Sequence, residues 1–271
     1  MLNISKLPIS VAIITKNEEE RLPACLASVA FADDLVVVDA ESTDLTADIA
    51  RAAGARVFVE PWRGFGPQKQ FAIDQCQNQW VLILDADERI TPETASHISD
   101  LLAGKPACSA YSFLRKNFFL DRLIRHGSWK NDRVTRLFDK TVCHMPPQMV
   151  HESLVVNGTV GVLDSIIMHY ARTDLFQAIV KLNRYSTIGA QEMSGRGRVT
   201  SIMEATLRSV WCFVYNYIFR LGFCDMSAGL IIAVADSVET FFKYAKLHEL
   251  NRGFSGAVSH NDQSQNIPED I

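Results

Sequence analysis

Two carboxylates one residue apart close an apolar run at Trp80-Val-Leu-Ile-Leu-Asp85-Ala-Asp87-Glu88. Two hard oxygen ligands at that spacing suit a Mg²⁺ or Mn²⁺ ion that also holds a diphosphate. D-x-D alone is common, and Asp87 could equally cap a following helix. Thr91 at an N-cap position, Pro92 at the first helical position and Glu93 in the first turn already supply that start, which favours Asp85 and Asp87 as a metal pair. Polar groups also follow two earlier apolar runs: Thr15, Lys16, Asn17 and Glu18 after the first, then Asp39, Glu41, Ser42, Thr43 and Asp44 after the second. Turn chemistry explains any one of these sets. Acids recurring at the same end of run after run point instead to one crevice, with acceptors for a base and ribose beside a metal for a diphosphate.

The elements that must position these groups read as alternating strands and helices. Residues 10–14, 34–38, 57–59 and 80–84 are apolar strand segments. Residues 18–30, with Leu22, Cys25, Leu26 and Val29 on one face, read as a helix. So do residues 45–53, closed by Gly54, and 68–75 after Pro67. Such alternation implies an α/β chain with a parallel, doubly wound sheet, whose ligands bind beyond the carboxyl ends of the strands. The first strand is followed by neither G-x-G-x-x-G nor a P-loop, which disfavours a dinucleotide site and simple nucleotide hydrolysis. Lys69, just past the Gly64-Phe-Gly-Pro67 turn, could reach a phosphate or be an exposed helical lysine.

With 271 residues, 48% of them hydrophobic, the chain can build one sizeable core and an appended subdomain. Its formal net charge of −4 argues against a general nucleic-acid binder, so no nucleic-acid partner is expected. Six cysteines without C-x-x-C spacing read as reduced core thiols of a cytosolic protein. The first ten residues lack a signal-peptide pattern, and no stretch is apolar for long enough to span a bilayer as a helix.

In order, Ile13-Ile-Thr15-Lys-Asn17-Glu18, Val38-Asp39-Ala-Glu-Ser42-Thr43-Asp44, Gly64-Phe-Gly-Pro-Gln-Lys69 and Leu84-Asp85-Ala-Asp87-Glu88 resemble the motif series of family 2 glycosyltransferases with the GT-A fold. The order is most similar to the lipopolysaccharide core β-glucosyltransferase branch. That likeness continues through His126-Gly-Ser-Trp129, Arg136-Leu-Phe138, Val150-His151-Glu152 and Lys181-Leu-Asn-Arg-Tyr185-Ser186. The resemblance implies a mostly parallel GT-A sheet with helices on both faces over residues 1–172, split at 104 into a nucleotide-sugar half and an acceptor half. It implies UDP-glucose as the donor, a divalent cation, and a heptose of a lipid-linked core saccharide as the acceptor, joined by inversion to a β-linkage. Thr15, Asn17, Asp39 and Asp44 then hold the uridine with Glu18 beside them, while Lys69 serves the diphosphate and His151 orients either the site or the diphosphate. Asp85 lies near the ribose or the metal, Asp87 ligates the ion, and Glu152 is the base, with Asp132 its rival. The family usually has small residues, often Ser-Gly, between the acids of the second motif. Ala40-Glu41 stand there instead, and glycine permits a positive φ that glutamate disfavours, so this loop is expected to be shaped differently.

Residues 110–115 read as a further strand, and 115–140 as a loop with eight Lys or Arg against three Asp. With His126 and Trp129 interleaved, that loop suits an anionic acceptor, since arginines pair with phosphate and carboxylate and an indole stacks on a sugar face. On its residues alone, Val150-His151-Glu152 could bind metal, serve acid–base chemistry or form a polar turn. A short hairpin is expected around Asn157-Gly158. Residues 173–250 read as helical, over 174–193, 201–221 and 227–250 with a break at Gly222. The polar strip Glu204, Arg208, Asn216 and Arg220 and its counterpart Asp236, Glu239, Lys243 and Lys246 leave the rest apolar. Helices this apolar lie in a core or at a membrane interface. The expectation is an anionic membrane surface, with the protein peripheral on the cytoplasmic face of the inner membrane. Residues 251–271 read as a disordered tail. A sugar-phosphate nucleotidyltransferase is the rival enzyme class, though Thr15-Lys-Asn-Glu18 is not its glycine-rich loop, and a sugar-nucleotide-binding scaffold is a distant third.

Overall fold

A computed structural model describes residues 6–146, 153–171 and 175–253. The described residues divide into two bodies, one of residues up to 116 with 131–169, the other of 117–130 with 170–253. The boundary expected at 172 therefore has an exception: residues 117–130 go with the helices.

In the first body, β1 (Leu7–Thr15), α1 (Leu22–Ser28), β2 (Ala32–Asp39), α2 (Thr46–Ala52), β3 (Arg56–Val59), α3 (Phe65–Gln75) and β4 (Trp80–Asp85) alternate as expected. The strands lie in the order β3-β2-β1-β4, all parallel. The central runs are continuously apolar because both faces are covered. Side chains alternate across the sheet, so Ile9, Val11 and Ile13 pack with Leu22, Cys25 and Leu26, while Ala12 and Ile14 pack with Ala72 and Ile73.

Beyond β4 the sheet departs from the parallel expectation. A three-residue strand, β5 (Glu88–Ile90), precedes α4 (Pro92–Ala103), whose Thr91 N-cap accepts from the Thr94 amide as expected. The remaining strands are β6 (Ala110–Phe119), β7 (Arg122–Leu123), β8 (Asp132–Asp139), β9 (Cys143–His144), β10 (Val155–Val156) and β11 (Val160–Tyr170). The sheet continues β4-β8-β6-β11-β5, and β8 runs antiparallel to both β4 and β6. Most of the basic stretch 115–140 is thus strand, with Arg133 and Arg136 in β8 and Arg115 set opposite Asp132 across the β6–β8 ladder. The hairpin expected at Asn157-Gly158 does not form, because β10 pairs with β9 in a separate two-stranded sheet and β11 joins the main one.

The second body holds α5 (Leu175–Gly195), α6 (Ile202–Val214), a π-helical turn (Tyr215–Phe219), a 3₁₀ turn (Gly222–Asp225) and α7 (Met226–Asn251). The break at Gly222 is as expected. A side chain at Gly229 would collide with the Gly222 carbonyl, so two backbones meet there. The Lys181–Ser186 motif works here as a lock. Lys246 Nζ lies within 2.9 Å of the Asn183 carbonyl and 2.8 Å of both Asn183 Oδ1 and Ser186 Oγ. All six cysteines are free, but only Cys25, Cys76 and Cys143 are buried, and Cys224 is exposed. The expectation of core thiols thus fails at Cys224, which the 3₁₀ turn holds at the surface.

Candidate active site

Strand register sets the frame. Thr15 lies opposite Asp39 on β2, and Ile14 opposite Asp85 on β4, so three strand ends finish at one level of the sheet edge. From there the edge divides into two chemically different parts.

At the β1 and β2 ends the acids are held by neutral donors. Asp39 accepts from Thr15 Oγ1 at 3.3 Å, from the Ser42 amide at 2.9 Å and from Ser42 Oγ at 2.5 Å. Asn17 Oδ1 accepts from the Thr43 amide at 2.9 Å, and the Asn17 amide donates to Ser42 Oγ at 2.9 Å. Asp44 accepts from the Thr46 amide and hydroxyl and from the Glu19 amide. Desolvation pushes the Asp44 carboxyl up, but those hydrogen bonds outweigh it and hold its pKa below the ordinary value. Glu18 is buried and paired with Arg21, and its amide donates to Thr46 Oγ1 at 2.8 Å. The two loops are thereby stitched together, with Asn17 and Glu41 both left-handed, at φ 50° and 56°. Glutamate occupies the left-handed conformation at Glu41 at a cost of roughly 1–2 kcal/mol.

At the β4 and β5 ends the acids are held by cations. Asp85 Oδ1 is 3.1 Å from Lys69 Nζ and Oδ2 is 2.5 Å from Arg136 Nη2. The same Arg136 nitrogen reaches Glu88 Oε1 at 2.6 Å, and Arg115 Nη1 reaches that oxygen at 3.2 Å. Glu88 Oε2 accepts the Asp85 amide at 3.2 Å, and Arg115 Nη2 continues to Asp132 Oδ2 at 2.7 Å. Lys69, Asp85, Arg136, Glu88, Arg115 and Asp132 thus form one alternating chain of charges around the fully buried Glu88. Burial pushes the Asp85 carboxyl up, but Arg136, then Lys69 and Arg115, outweigh it and hold it far below the carboxylate range. Burial would lower the Arg136 pKa, yet Asp85 and Glu88 raise it, so both partners stay ionised.

Three of the expected site residues have partners that their spacing did not foretell. Asp85, expected as a metal ligand, has both oxygens engaged by cations. Lys69 is buried and carries Asp85 rather than standing free at the surface. Asp132, the rival base, is held by Nε and Nη2 of Arg115, its cross-strand neighbour. His151 and Glu152 lie outside the described residues.

Asp87 has a different partner. Its Oδ2 is 3.2 Å from His169 Nε2. Eighty-two residues separate the two, and the short β5 joins them: it pairs antiparallel with the end of β11, setting His169 opposite Glu88. Thr94, in the first turn of α4, fixes β11 further by accepting the Ile166 amide and donating to its carbonyl. Asp87 and His169 also fit a divalent ion as a donor set. A separation of 3.2 Å is close to the ~3 Å between adjacent corners of an octahedron with bonds of about 2.1 Å. No group of three metal-binding side chains occurs among the described residues. Nothing in the sequence pointed to His169, while Glu88 and Arg115 stood in quoted stretches without a role. Arg136 was visible within Arg136-Leu-Phe138 but without a role.

The family model for glycosyl transferase family 2 matches residues 10–151. The chain belongs to that family. An uncharacterised glycosyltransferase of Rickettsia prowazekii, RP128, is 32% identical over 90% of this chain and 87% of its own. The lipopolysaccharide core biosynthesis glycosyltransferase LpsC of Rhizobium meliloti is 31% identical over 91% of this chain and 94% of its own. Among solved structures, S. aureus TarS in complex with UDP is 17% identical, covers 92% of each chain and superposes with a TM-score of 0.47. Family membership together with the β3-β2-β1-β4 parallel order makes the fold of this glycosyltransferase GT-A, with the candidate site at the carboxyl edge of its sheet and a helical region after it.

In the second body the His126-Gly-Ser-Trp129 motif is anchored rather than displayed. Asp225 Oδ2 accepts the Arg125 and His126 amides at 3.0 and 2.8 Å, and Oδ1 is 3.2 Å from His126 Nδ1. Trp129 packs edge-on against Phe119 at 5.9 Å between ring centres, which commits part of an indole expected to stack on a sugar.

Proposed function

We propose that this glycosyltransferase is an inverting hexosyltransferase that moves glucose from UDP-glucose to a heptose of a lipid-linked lipopolysaccharide core, at the cytoplasmic face of the inner membrane. The observation that carries the donor side is the Asp87–His169 pair set beside a fully compensated cation chain. The similarity to LpsC over nearly the whole length supports a core saccharide as the acceptor.

In this reading the stitched loops after β1 and β2 form the nucleoside side, with Thr15, Asn17, Asp39 and Asp44 fixing loop shape around the uracil and ribose. Asp87 and His169 hold a divalent cation, which when bound offsets the charge that builds on the departing UDP. Lys69, Arg136 and Arg115 keep Asp85 and Glu88 neutralised, so the turn that presents Asp87 does not repel the diphosphate. Glu152 takes the acceptor hydroxyl's proton as the oxygen attacks the anomeric carbon from the face opposite UDP. Holding the two sugars in line supplies much of the rate.

The test is incubation with a panel of nucleotide sugars and a truncated heptose-containing core, reading product mass and anomeric configuration by NMR. A single β-linked hexose from UDP-glucose, with UDP released, is expected. Pyrophosphate release would instead identify a nucleotidyltransferase, and transfer from another sugar nucleotide would reassign the donor.

A further inference from the structure

The helices of the second body are patterned inside out. Where α6 meets α7 the contacts are polar or small: Ser209 Oγ lies 2.9 Å from Ser237 Oγ, Asn216 Nδ2 donates to Asp236 Oδ2 at 3.2 Å, and Ala205 is buried. The large apolar residues face away. Trp211 is 60% exposed and Phe219 64%, with Met203, Leu207, Val210 and Ile218 exposed alongside them. Trp211 stacks on Tyr215 and leans on Phe219, so the aromatic rings form a ladder along the outside of the helix. Small and hydrogen-bonding residues between helices, with apolar ones outward, is the arrangement of helices that contact lipid.

The corner that follows continues this surface. Leu221 and Met226 adopt φ of 60° and 54°, a region that costs a non-glycine side chain, yet both point to solvent together with Phe223. The turn that buries Gly222 and Asp225 thus leaves three apolar side chains outside. Arg122, Arg125 and Lys130 are exposed in the same body. Arg122 Nη2 lies 3.2 Å from Met226 Sδ, the Arg125 amide is bonded to Asp225, and Arg220 Nη2 donates to the Lys130 carbonyl at 3.4 Å. Within residues 117–130 Asp121 is the exposed acid, while Asp225 is buried and already engaged. No single described helix is long and apolar enough to cross a bilayer; Ile202–Phe219 and Gly222–Asn251 reach that length and composition only together, across a 70° bend.

We propose that the outward face of α6 and the Leu221–Met226 corner bed into the headgroup layer of an anionic phospholipid bilayer, with Arg122, Arg125, Lys130 and Arg220 on its phosphates. This deepens the proposed function by naming the surface on which a lipid-linked acceptor is met, and it rests on that reading only for its purpose. Apolar insertion combined with cationic contact gives binding that depends on anionic lipid and weakens with salt.

The experiment sediments the full chain with vesicles of phosphatidylethanolamine and phosphatidylglycerol, and with pure phosphatidylcholine. Binding is expected to the anionic vesicles, falling at high salt. Trp211→Ser with Phe223→Ser should lower partitioning about tenfold or more, because each removes a buried apolar side chain. Should that variant misfold by circular dichroism, the wild type still decides. Brominated lipid should quench its tryptophan fluorescence, and Trp211→Phe should abolish most of that quenching while still binding. Absence of vesicle binding would overturn the proposal, as would quenching unchanged by Trp211→Phe, or a lipid-free dimer that the double variant converts to monomer. Transfer to the soluble truncated core is measured separately, so a failed donor assignment leaves vesicle binding intact and is told apart from a failed surface.

Discussion

The two halves of the sheet edge use the same residue types in opposite ways. After β1 and β2, Asp39 and Asp44 are satisfied by amides and hydroxyls, so their charge is spent shaping two loops. After β4 and β5, Asp85 and Glu88 are satisfied by Lys69, Arg115 and Arg136, so their charge is cancelled outright. Asp87 alone stands against an imidazole. A carboxylate at a strand end therefore does not declare its role; its partner does. Hydroxyl and amide partners mark a loop organiser and guanidinium partners an internal counter-charge, while the Asp87–His169 pair is the one on which the proposed metal site rests.

The largest effect that could break this division is at Asp87. Asp87→Ala should lower turnover about 100- to 1000-fold, the scale of a lost electrostatic contact to the leaving group. Thermal stability should change little, and His169→Ala should give the same pattern. Steady-state transfer beside thermal melts checks both; if Asp85→Asn were the more damaging to metal affinity, the roles of the two acids would be reversed.

Next comes Glu88. Glu88→Gln leaves two guanidinium groups facing a neutral buried amide and should destabilise the fold by about 3–5 kcal/mol, read from urea midpoints. A variant as stable as the wild type would mean that the cation chain is held by something other than its centre.

The pH dependence of stability separates the halves further. The pKa of Asp85 is depressed in the folded state, so its contribution is complete above the unfolded value of 3.8 and is lost as pH falls toward the folded one. Urea midpoints measured from neutral pH downward should drop steeply through and below that value. Asp85→Asn should flatten the drop without removing it, because Asp34, Asp44 and Asp139 are also held low. An identical slope in wild type and variant would show that the chain does not ionise as a unit.

The smallest effect lies in the loop half. Glu41→Gly relieves a left-handed glutamate and should raise stability by up to about 1 kcal/mol, with donor KM unchanged. A loss of stability would mean that the exposed Glu41 side chain makes a contact worth more than the strain.

Much of this was visible before any coordinates. The alternation through residue 85, the N-cap at Thr91 and the break at Gly222 depend on local periodicity and capping chemistry, which a sequence states directly. The ordered motifs likewise identified the family. The antiparallel turn of the sheet after β4 was not visible, because Arg133, Thr135 and their neighbours alternate in a way that a basic loop also could. Nor was His169, since its nearness to Asp87 exists only through the β5–β11 register. Residue types and spacing determined which groups stand at the strand ends and that they serve one edge. Long-range pairing alone decided which acid faces a cation, which a hydroxyl and which a histidine, because hydrogen bonds and ion pairs act over a few ångströms in space whatever their distance along the chain.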